Sequence, residues 1–508
     1  MLLRSTKTKV MNRFYLLLCL ALGACSLVWG QAPERPDDYL SSEFHQGRRE
    51  ALRAQMPENS VAVFFANPVR NRANDVNYVY HQDPNFYYLT GHREPHAVLL
   101  IFKEPQEIDG QMVDEVIYVR GHDALKELYD GPRLGKEGAM TVLGLTMAKE
   151  GAEFPDLPVD FQRFDRVMHD PFQGDVRNTQ EKGDLYDLIE TFRLKTLGYD
   201  KTVVGLEEPP QAPPNTEVNL DTETLDGIMA KLRGVKQPEE LDLLRKAVNI
   251  SALGQAEVMK AMHPGMSEME VQGMHEFIFK KYQAEYEGYP SIVGAGHNGC
   301  VLHYIDNYKP EIEDGELILM DLGAEYHGYT ADVTRTIPVN GTFSPEQKTI
   351  YDLVYEAQTA AWDICKAGVP FSELYQATAE VVNNGLVELG LYASTAEEDM
   401  VNPETGRNRY YPHGCCHHIG LDVHDKGEYE VLEAGMVITI EPGIYIPEGS
   451  PCDPKWWDIP VRIEDDFLIT EDGCELLSDL APRQSEEIEA LMAQPSAFNN
   501  FDLPDLDE

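Results

Sequence analysis

Basic residues are scarce in this chain, and their scarcity limits what it can bind. Lysine and arginine number 42 against 87 aspartates and glutamates, so the formal net charge is −45 at pH 7. A surface of this sign repels nucleic acid and anionic membranes. The excess of acid is typical of a well-solvated surface, so it excludes classes of partner without identifying a substrate.

Cysteine is also sparse, and its spacing fits neither a zinc site nor a disulfide scaffold. There are eight cysteines in 508 residues. Cys452 and Cys474 could pair in an oxidising compartment, and the sequence leaves that pairing open. The six cysteines that follow the first 30 residues are Cys300, Cys365, Cys415, Cys416, Cys452 and Cys474.

The first 30 residues contain no acidic residue and resemble a signal peptide. Basic residues precede an apolar run, 14–28, which is short for a membrane span. Residues 22–25 resemble a bacterial lipoprotein box in which Cys25 is lipidated, whereas 28–30 suit ordinary signal peptidase. We expect an exported protein, periplasmic or extracellular, and both processing routes stay open.

The length of the chain favours two domains over one. Apolar runs at 60–66, 97–102 and 116–119 predict buried strands of an N-terminal mixed α/β domain that spans residues 36–230. Residues 80–91 combine aromatic and polar side chains, which is typical of a cleft wall and equally of ordinary packing. Residues 140–200 are expected to be helical in places and receive no role.

A proline-rich stretch, 207–214, separates the two predicted domains. Residues 237–262 are predicted to form a helix, because proline and glutamates at its start suit a helix N-terminus. The second domain is predicted over 235–492. The acidic tail, 493–508, has little to bury and is predicted to be disordered. The fold class is therefore α/β (α+β).

A cluster of histidines marks the second domain. Ile419, Leu421 and Val423 alternate there with small or polar residues, which predicts a segment packed on the core. Imidazole binds transition metals and also transfers protons near neutral pH. The cluster is either part of a functional site or a surface run of histidines. Its members are His413, His417, His418 and His424.

Four apolar strands are each predicted to carry one carboxylate. A hairpin that turns at His327 and Gly328 would place two of them face to face, and Arg462 is predicted to share a strand face with Glu464. Carboxylates in an apolar setting repel each other unless one is protonated or a cation lies between them. Two divalent ions would balance the four acids, and oxygen donors with one imidazole favour manganese, cobalt or iron. The acids are Asp321, Asp332, Glu441 and Glu464.

Together these motifs resemble the metallopeptidases of the pita-bread fold, and most closely the aminopeptidase P family. The resemblance covers nearly all of the chain after the leader. It implies an aminopeptidase P N-terminal domain before a pita-bread catalytic domain, in an enzyme that cleaves between an N-terminal residue and a following proline. The segments that carry it are 80–95, 292–304, 321–332, 413–424, 441–443 and 462–465.

The resemblance also assigns a metal centre. Two divalent ions, most often Mn²⁺, would activate a water to hydroxide between them and polarise the scissile carbonyl. Asp332 and Glu464 would bridge the two ions, and Glu441 would also carry a proton toward the leaving proline nitrogen. The implied metal ligands are Asp321, Asp332, His417, Glu441 and Glu464.

Other residues would contact the substrate. His303, His413 and His424 would line the substrate site, and Arg462 would fix a carboxylate, meet the far end of the peptide, or form a plain salt bridge. His418 and the two cysteines beside it receive no role. Members of the family are often homo-oligomers, so a dimer or tetramer is expected.

Two alternatives share much of this pattern. An Xaa-Pro dipeptidase (prolidase) has the same domains and metal ligands, although residues 292–304 resemble the aminopeptidase more. A non-catalytic pita-bread binding module is an alternative of another class, and the complete ligand set argues against it. A methionine aminopeptidase is disfavoured, because it would not need the predicted N-terminal domain.

Overall fold

The computed structural model describes residues 36, 38–196 and 219–500. The predicted leader and the proline-rich stretch lie outside the described residues. The described residues divide into two compact units, one made of 36, 38, 39 and 122–134, and the other of 40–121, 135–196 and 219–500. No helix in the described ranges is long and apolar enough to cross a membrane.

The N-terminal part of the larger unit is built on one mixed sheet. The apolar runs predicted as strands are confirmed, and their side chains form a buried core with those of the flanking segments. Its strands are β1 (Ser60–Phe65), β4 (Val98–Ile108), β5 (Gln111–Val119), β6 (Ala148–Glu150), β7 (Arg166–His169) and β8 (Leu220–Asp221). A separate hairpin joins β2 (Asn71–Ala73) to β3 (Val76–Asn77). The order is β6-β5-β4-β1-β7-β8, with β1 antiparallel to β4 and parallel to β7.

Short helices occur in the same part of the sequence. Within 140–196, helices are present in places as predicted, together with strands and 3-10 helices. Asp83 caps one helix by accepting from the Phe86 amide, and Gly91 ends it at φ +68°. The helices are α1 (Ser42–Gln55), α2 (Pro84–Thr90), α3 (Ala124–Asp130), α4 (Gly135–Thr141), α5 (Leu185–Thr196) and α6 (Thr224–Gly234).

The C-terminal part combines long helices with short antiparallel strands. Its helices are α7 (Pro238–Ala261), α8 (Glu268–Lys281), α9 (Pro345–Ile364), α10 (Phe371–Glu388), α11 (Glu397–Met400) and α12 (Ser485–Met492). Its first strands are β9 (Tyr286–Glu287), β10 (Ile292–Ala295), β11 (Leu317–Leu322), β12 (Ala324–Tyr326), β13 (Tyr329–Thr330) and β14 (Val333–Pro338). The later strands are β15 (Val437–Ile440), β16 (Gly443–Ile446), β17 (Ile459–Arg462), β18 (Asp465–Ile469) and β19 (Cys474–Leu476). The sheets are β10-β11-β14, β13-β12-β9, β15-β18-β19 and β16-β17.

Two buried glutamines tie the long helices to these strands. Gln255 of α7 donates to the carbonyls of Met320 (2.9 Å) and Val333 (2.8 Å). Gln358 of α9 donates to the Ile440 carbonyl (2.9 Å) and to Asp465 (2.9 Å). Each amide thus fixes backbone next to a position where an acid is predicted.

The chain beyond the last long helix is ordered as far as it is described. A 3-10 helix covers Ala497–Asn500, and Phe498 packs edge-on against Phe277 with ring centres 5.8 Å apart. Order therefore extends past residue 493, where the disordered tail was predicted to begin, and residues 501–508 lie outside the described residues.

The described cysteines are all free thiols, so Cys452 and Cys474 are not paired in this structure. Cys474 hydrogen-bonds the Cys365 thiol and thereby raises its pKa.

Candidate metal centre

Asp321 and Asp332 face each other across the predicted hairpin. β11 pairs with β14, and the chain between them turns at His327 (φ +52°) and Gly328 (φ +91°). The close approach depends on Gly323, since a Cβ there would lie 1.7 Å from the Ala331 carbonyl oxygen. The hairpin prediction is confirmed, and it brings the two carboxylates to one side of the sheet.

A tyrosine that the sequence did not indicate lies between the two acids. The Tyr289 hydroxyl is 2.6 Å from Asp321 Oδ1 and 2.5 Å from Asp332 Oδ1. A phenol has a single proton and can donate to only one of them at a time. The pair therefore needs further positive charge.

His417 approaches the acids from the histidine-rich segment. This segment runs beside β15, where the His417 carbonyl accepts from the Thr439 amide at 2.9 Å. His417 Nε2 lies 3.6 Å from Asp332, 3.7 Å from Glu441 and 4.0 Å from Glu464. The segment therefore packs on the core and delivers one imidazole to the acids.

The hydrogen bond on the other side of the ring sets its tautomer. His417 Nδ1 lies 2.9 Å from the His418 carbonyl oxygen. A carbonyl only accepts, so Nδ1 carries a proton, and Nε2 is the nitrogen that faces the carboxylates and could bind a metal. This is the arrangement that a metal-binding histidine requires.

The remaining two acids come from strand ends. Glu441 follows β15 directly, as predicted. Glu464, predicted inside a strand, lies in the break between β17 and β18, where it accepts a 2.5 Å hydrogen bond from the Thr334 hydroxyl. The backbone turns at this break, but the Glu464 carboxylate still reaches the other acids.

The acids raise one another's pKa values. Burial raises the pKa of Asp332 well above its ordinary value, and Asp321 and Asp466 raise it further. Burial likewise raises the pKa of Glu464, with Asp332 and Glu441 adding to it. The pKa of Glu441 is raised by burial even though His417 and Arg462 oppose it. The protein alone does not balance this charge.

A divalent metal ion fits the donor set. Asp332, His417 and Glu464 each offer a ligand atom, and these atoms lie within 4.8 Å of one another. Asp321 and Glu441 border the same group, on the Tyr289 and His417 sides. An ion here would be coordinated by an imidazole nitrogen and would neutralise the buried carboxylates whose pKa values are raised.

Arg462 does not pair with Glu464, and that alternative is corrected. Its Nη2 donates to Asp321 Oδ2 at 2.5 Å, and its Nη1 donates to the Tyr445 hydroxyl at 2.7 Å. His413 Nε2 lies 2.9 Å from the same hydroxyl. Burial and the nearby Arg462 together lower the pKa of His413 to about 3, so the ring is neutral at physiological pH.

His424 covers the outer face of the centre. Its ring stacks on His417 with centroids 4.0 Å apart and planes 9° apart. Desolvation, with smaller contributions from His417 and His303, lowers the pKa of His424 to about 4. His424 also lines a cavity of about 560 Å³. His303 is exposed and contributes to lowering the pKa values of His413 and His424.

The other wall of this cavity comes from the N-terminal part. His81 lines it and lies 3.0 Å from Glu325. Of the segment 80–91, His81 thus forms a cleft wall, whereas Phe86 and its neighbours are buried in ordinary packing. Both interpretations of that segment hold, each for a different part.

His418 is structural rather than incidental. It is completely buried, its Nε2 lies 3.0 Å from the Glu428 carbonyl oxygen, and its ring packs on Phe371 and Tyr429. Alternation along the segment points it away from His417. Its side chain therefore serves the core.

Comparison with known proteins gives these observations a family context. The family model described as metallopeptidase family M24 matches residues 242–471, and the model for the aminopeptidase P N-terminal domain matches residues 45–162.

Two curated relatives align over most of their length. The chain is 35% identical over 460 residues to the Xaa-Pro aminopeptidase of Escherichia coli K12, covering 89% of this chain and 98% of that protein. It is 36% identical over 466 residues to the Xaa-Pro aminopeptidase of Haemophilus influenzae, with the same coverage. The solved structure of aminopeptidase PepP from Pseudomonas aeruginosa matches with a TM-score of 0.75 at 37% identity, over 90% of this chain and 98% of that one.

Proposed function

Because the chain belongs to the aminopeptidase P family of M24 metallopeptidases, we propose that it is a metal-dependent Xaa-Pro aminopeptidase. It hydrolyses the bond between an N-terminal residue and a following proline in peptides. One observation carries the proposal: Asp332, His417 and Glu464 offer ligand atoms within 4.8 Å of one another. His417 stacks on His424, which lines a cavity together with His81 of the N-terminal part.

The centre would hold two divalent ions on Asp321, Asp332, His417, Glu441 and Glu464. When bound, such ions polarise the scissile carbonyl and make a water molecule nucleophilic near neutral pH. Mn²⁺ is the proposed ion, because carboxylates dominate the donor set and no thiolate belongs to it.

The side chains around the centre divide the remaining work. Glu441 lies between His413 and His417, at 3.7 Å from each, and is placed to take a proton and pass it to the leaving nitrogen. His424 is neutral and can donate to a carbonyl oxygen as charge develops on it. His413 donates from Nδ1 to the Gly414 carbonyl and accepts from the Tyr445 hydroxyl at Nε2, so it orients Tyr445 beside the centre. Arg462 holds Asp321 through its 2.5 Å hydrogen bond.

This arrangement suits a bond to proline. That bond is a tertiary amide without an N–H group, so an enzyme cannot recognise it by accepting a hydrogen bond from it. Recognition here relies instead on the carbonyl oxygen and on the shape of the cavity. The nitrogen has to be protonated as it leaves, which is the role assigned to Glu441.

A metal reconstitution assay tests the proposal. Protein stripped by a chelator is resupplied with Mn²⁺, Co²⁺, Fe²⁺ or Zn²⁺ singly and assayed on Xaa-Pro-Xaa, Xaa-Pro and Xaa-Ala-Xaa peptides. We expect Mn²⁺ to restore cleavage of Xaa-Pro-Xaa and not of Xaa-Ala-Xaa. Cleavage confined to Xaa-Pro would make the protein a dipeptidase, and a protein that neither binds Mn²⁺ nor cleaves any of them would be a binding module.

Assembly and location are further parts of the proposal. The family resemblance favours a homo-oligomer, which light scattering of the purified protein would test. The signal-like first 30 residues favour export to the periplasm or beyond. Mass spectrometry of the mature N-terminus would separate cleavage after residue 30 from lipidation of Cys25.

A further inference from the structure

Two adjacent thiols lie directly beside the metal centre. Cys415 and Cys416 have their sulfur atoms 3.6 Å apart. Cys415 is 1% exposed, whereas Cys416 is partly open to solvent. An entering reagent therefore meets Cys416 first and finds a second thiol immediately behind it.

The backbone of this pair also positions the metal centre. The Cys415 carbonyl accepts from the Glu441 amide at 2.7 Å, and Cys416 is joined directly to His417. His417 in turn is held by the Thr439 amide and hydroxyl. Any rotation of the backbone between the two cysteines thus moves one proposed metal ligand, His417, and releases the support of another, Glu441.

We propose that Cys415 and Cys416 are a modification site for low-molecular-weight disulfides, and that closing a Cys415–Cys416 disulfide disables the metal centre. The regulatory meaning of this rests on the proposed function, but the chemistry of the pair does not. The site already described uses neither sulfur.

The reaction is thiol–disulfide exchange in two steps. The Cys416 thiolate attacks one sulfur of the reagent RSSR, which breaks the S–S bond, forms a mixed disulfide and releases RS⁻. The Cys415 thiolate then attacks the Cys416 sulfur, forms the protein disulfide and releases a second RS⁻. The two cysteines lose two protons and two electrons, and RSSR gains both to become two RSH.

Geometry makes this disulfide both disruptive and reversible. Cα atoms joined by a trans peptide are about 3.8 Å apart, which is shorter than the roughly 4.4–6.8 Å that disulfides usually span. The backbone between the cysteines has to twist to close the ring. A strained disulfide is also reduced more readily, so a thiol restores the dithiol and with it the original backbone.

The experiment uses the Mn²⁺-loaded enzyme and oxidised glutathione as the reagent. We expect a peptide containing both cysteines that has lost two hydrogens, a Kd for Mn²⁺ weakened by about 10–100-fold, and a matching loss of kcat/KM. Dithiothreitol should reverse all three changes. Peptide mapping that places the disulfide elsewhere, or a 415–416 disulfide that leaves Mn²⁺ affinity unchanged, would overturn the proposal.

Matched variants separate this pair from the other thiols. Cys416→Ser should bind Mn²⁺ as the wild type does and resist oxidised glutathione, whereas Cys452→Ser should stay sensitive. Cys415→Ala should stop at the mixed disulfide on Cys416 and form no protein disulfide. If inactivation persists in Cys416→Ser, the site is wrong. If the reduced enzyme cleaves no proline peptide, the proposed function is wrong. Peptide mapping and Mn²⁺ titration would still test whether the Cys415–Cys416 disulfide forms and weakens metal binding.

Discussion

Buried acids lie at both ends of the histidine-rich segment, and the protein balances them differently. At one end, Asp332 and Glu464 have pKa values raised by burial and by neighbouring acids. At the other end, burial would raise the pKa of Asp425 as well, but Arg233 and Lys236 outweigh it and the pKa is lowered. Both partners are almost fully buried, and Lys236 Nζ donates to Asp425 at 2.7 Å.

The difference separates a structural ion cluster from a binding site. Asp425 has all the positive charge it needs, and Arg233 also donates to Asn85 of α2 at 2.8 Å, so this cluster joins the histidine-rich segment to the N-terminal part. The acids around His417 have Arg462 on one side and otherwise depend on an ion from outside. The Asp425 cluster holds the histidine-rich segment in place so that the acids around His417 can bind an ion.

The largest expected effect is on activity, and it comes from removing one of the acids around His417, whose charge the protein does not balance. Asp332→Asn keeps the size of the side chain but removes a charge that a metal requires. We expect kcat/KM on an Xaa-Pro-Xaa peptide to fall about 10³-fold or more, since several kcal/mol of transition-state stabilisation depend on the metal. Metal analysis should show reduced Mn²⁺ content.

The control for this variant is Glu311→Gln, which neutralises an exposed carboxylate. It should keep wild-type activity and metal content. If Asp332→Asn retains activity within tenfold of wild type, the centre does not depend on Asp332 as proposed.

The next largest effect is expected on the free energy of unfolding, and it comes from the Asp425 cluster, whose charges are balanced by Arg233 and Lys236. Asp425→Asn leaves Lys236 buried without a counter-charge and leaves Arg233 with Asp422 alone, which should lower the free energy of unfolding by about 3–5 kcal/mol. Denaturant titration of Mn²⁺-saturated protein measures it. Glu475→Gln is the matched control, because it breaks an exposed pair with Arg245 and should cost no more than about 1 kcal/mol. An equal cost for the two variants would show that the buried cluster is not structural.

The same cluster predicts a pH dependence. The folded pKa of Asp425 is lowered, so its contribution is present above the ordinary value of about 4 and is lost as the pH falls through the lowered value. Stability of the wild type should therefore fall more steeply than that of Asp425→Asn below about pH 4. Parallel curves in urea titrations from neutral to acid pH would contradict the assignment.

The positions of the acids were predictable because each belongs to an apolar run whose pattern is local. Asp321 lies within a buried strand and Glu441 directly follows one, as predicted. Of the alternatives for Arg462, contact with Glu464 assumed an unbroken strand as far as Glu464 and is not found, whereas a salt bridge is found with Asp321. The strand ends at Arg462, and the guanidinium turns to Asp321 instead.

Side chains that serve these acids were not predictable, since their partners are distant in the sequence. Tyr289 is 32 residues from Asp321 and 43 from Asp332. Arg233 is 192 residues from Asp425. No local period relates such positions, and only the folded chain brings them together.

Removing the metal should change the free energy of unfolding through the acids around His417 and not through the Asp425 cluster. Mn²⁺ at about 100 times its Kd should raise the free energy of unfolding by about 2.7 kcal/mol over chelator-treated protein. Asp332→Asn should lose most of this gain, whereas Asp425→Asn should keep it from a lower starting point. Unfolding titrations with and without Mn²⁺ give the four values, and a gain that survives Asp332→Asn would place the ion elsewhere.

The smallest expected effect concerns His418, which lies between the two ends and belongs to neither. Its backbone carbonyl orients His417, but its side chain only packs in the core and bonds to the Glu428 carbonyl. His418→Phe keeps the ring and the backbone, so it should cost about 1 kcal/mol for the lost hydrogen bond and leave Mn²⁺ affinity and kcat/KM unchanged. A drop in Mn²⁺ affinity without a drop in stability would instead show that the imidazole of His418 belongs to the metal centre together with the acids around His417.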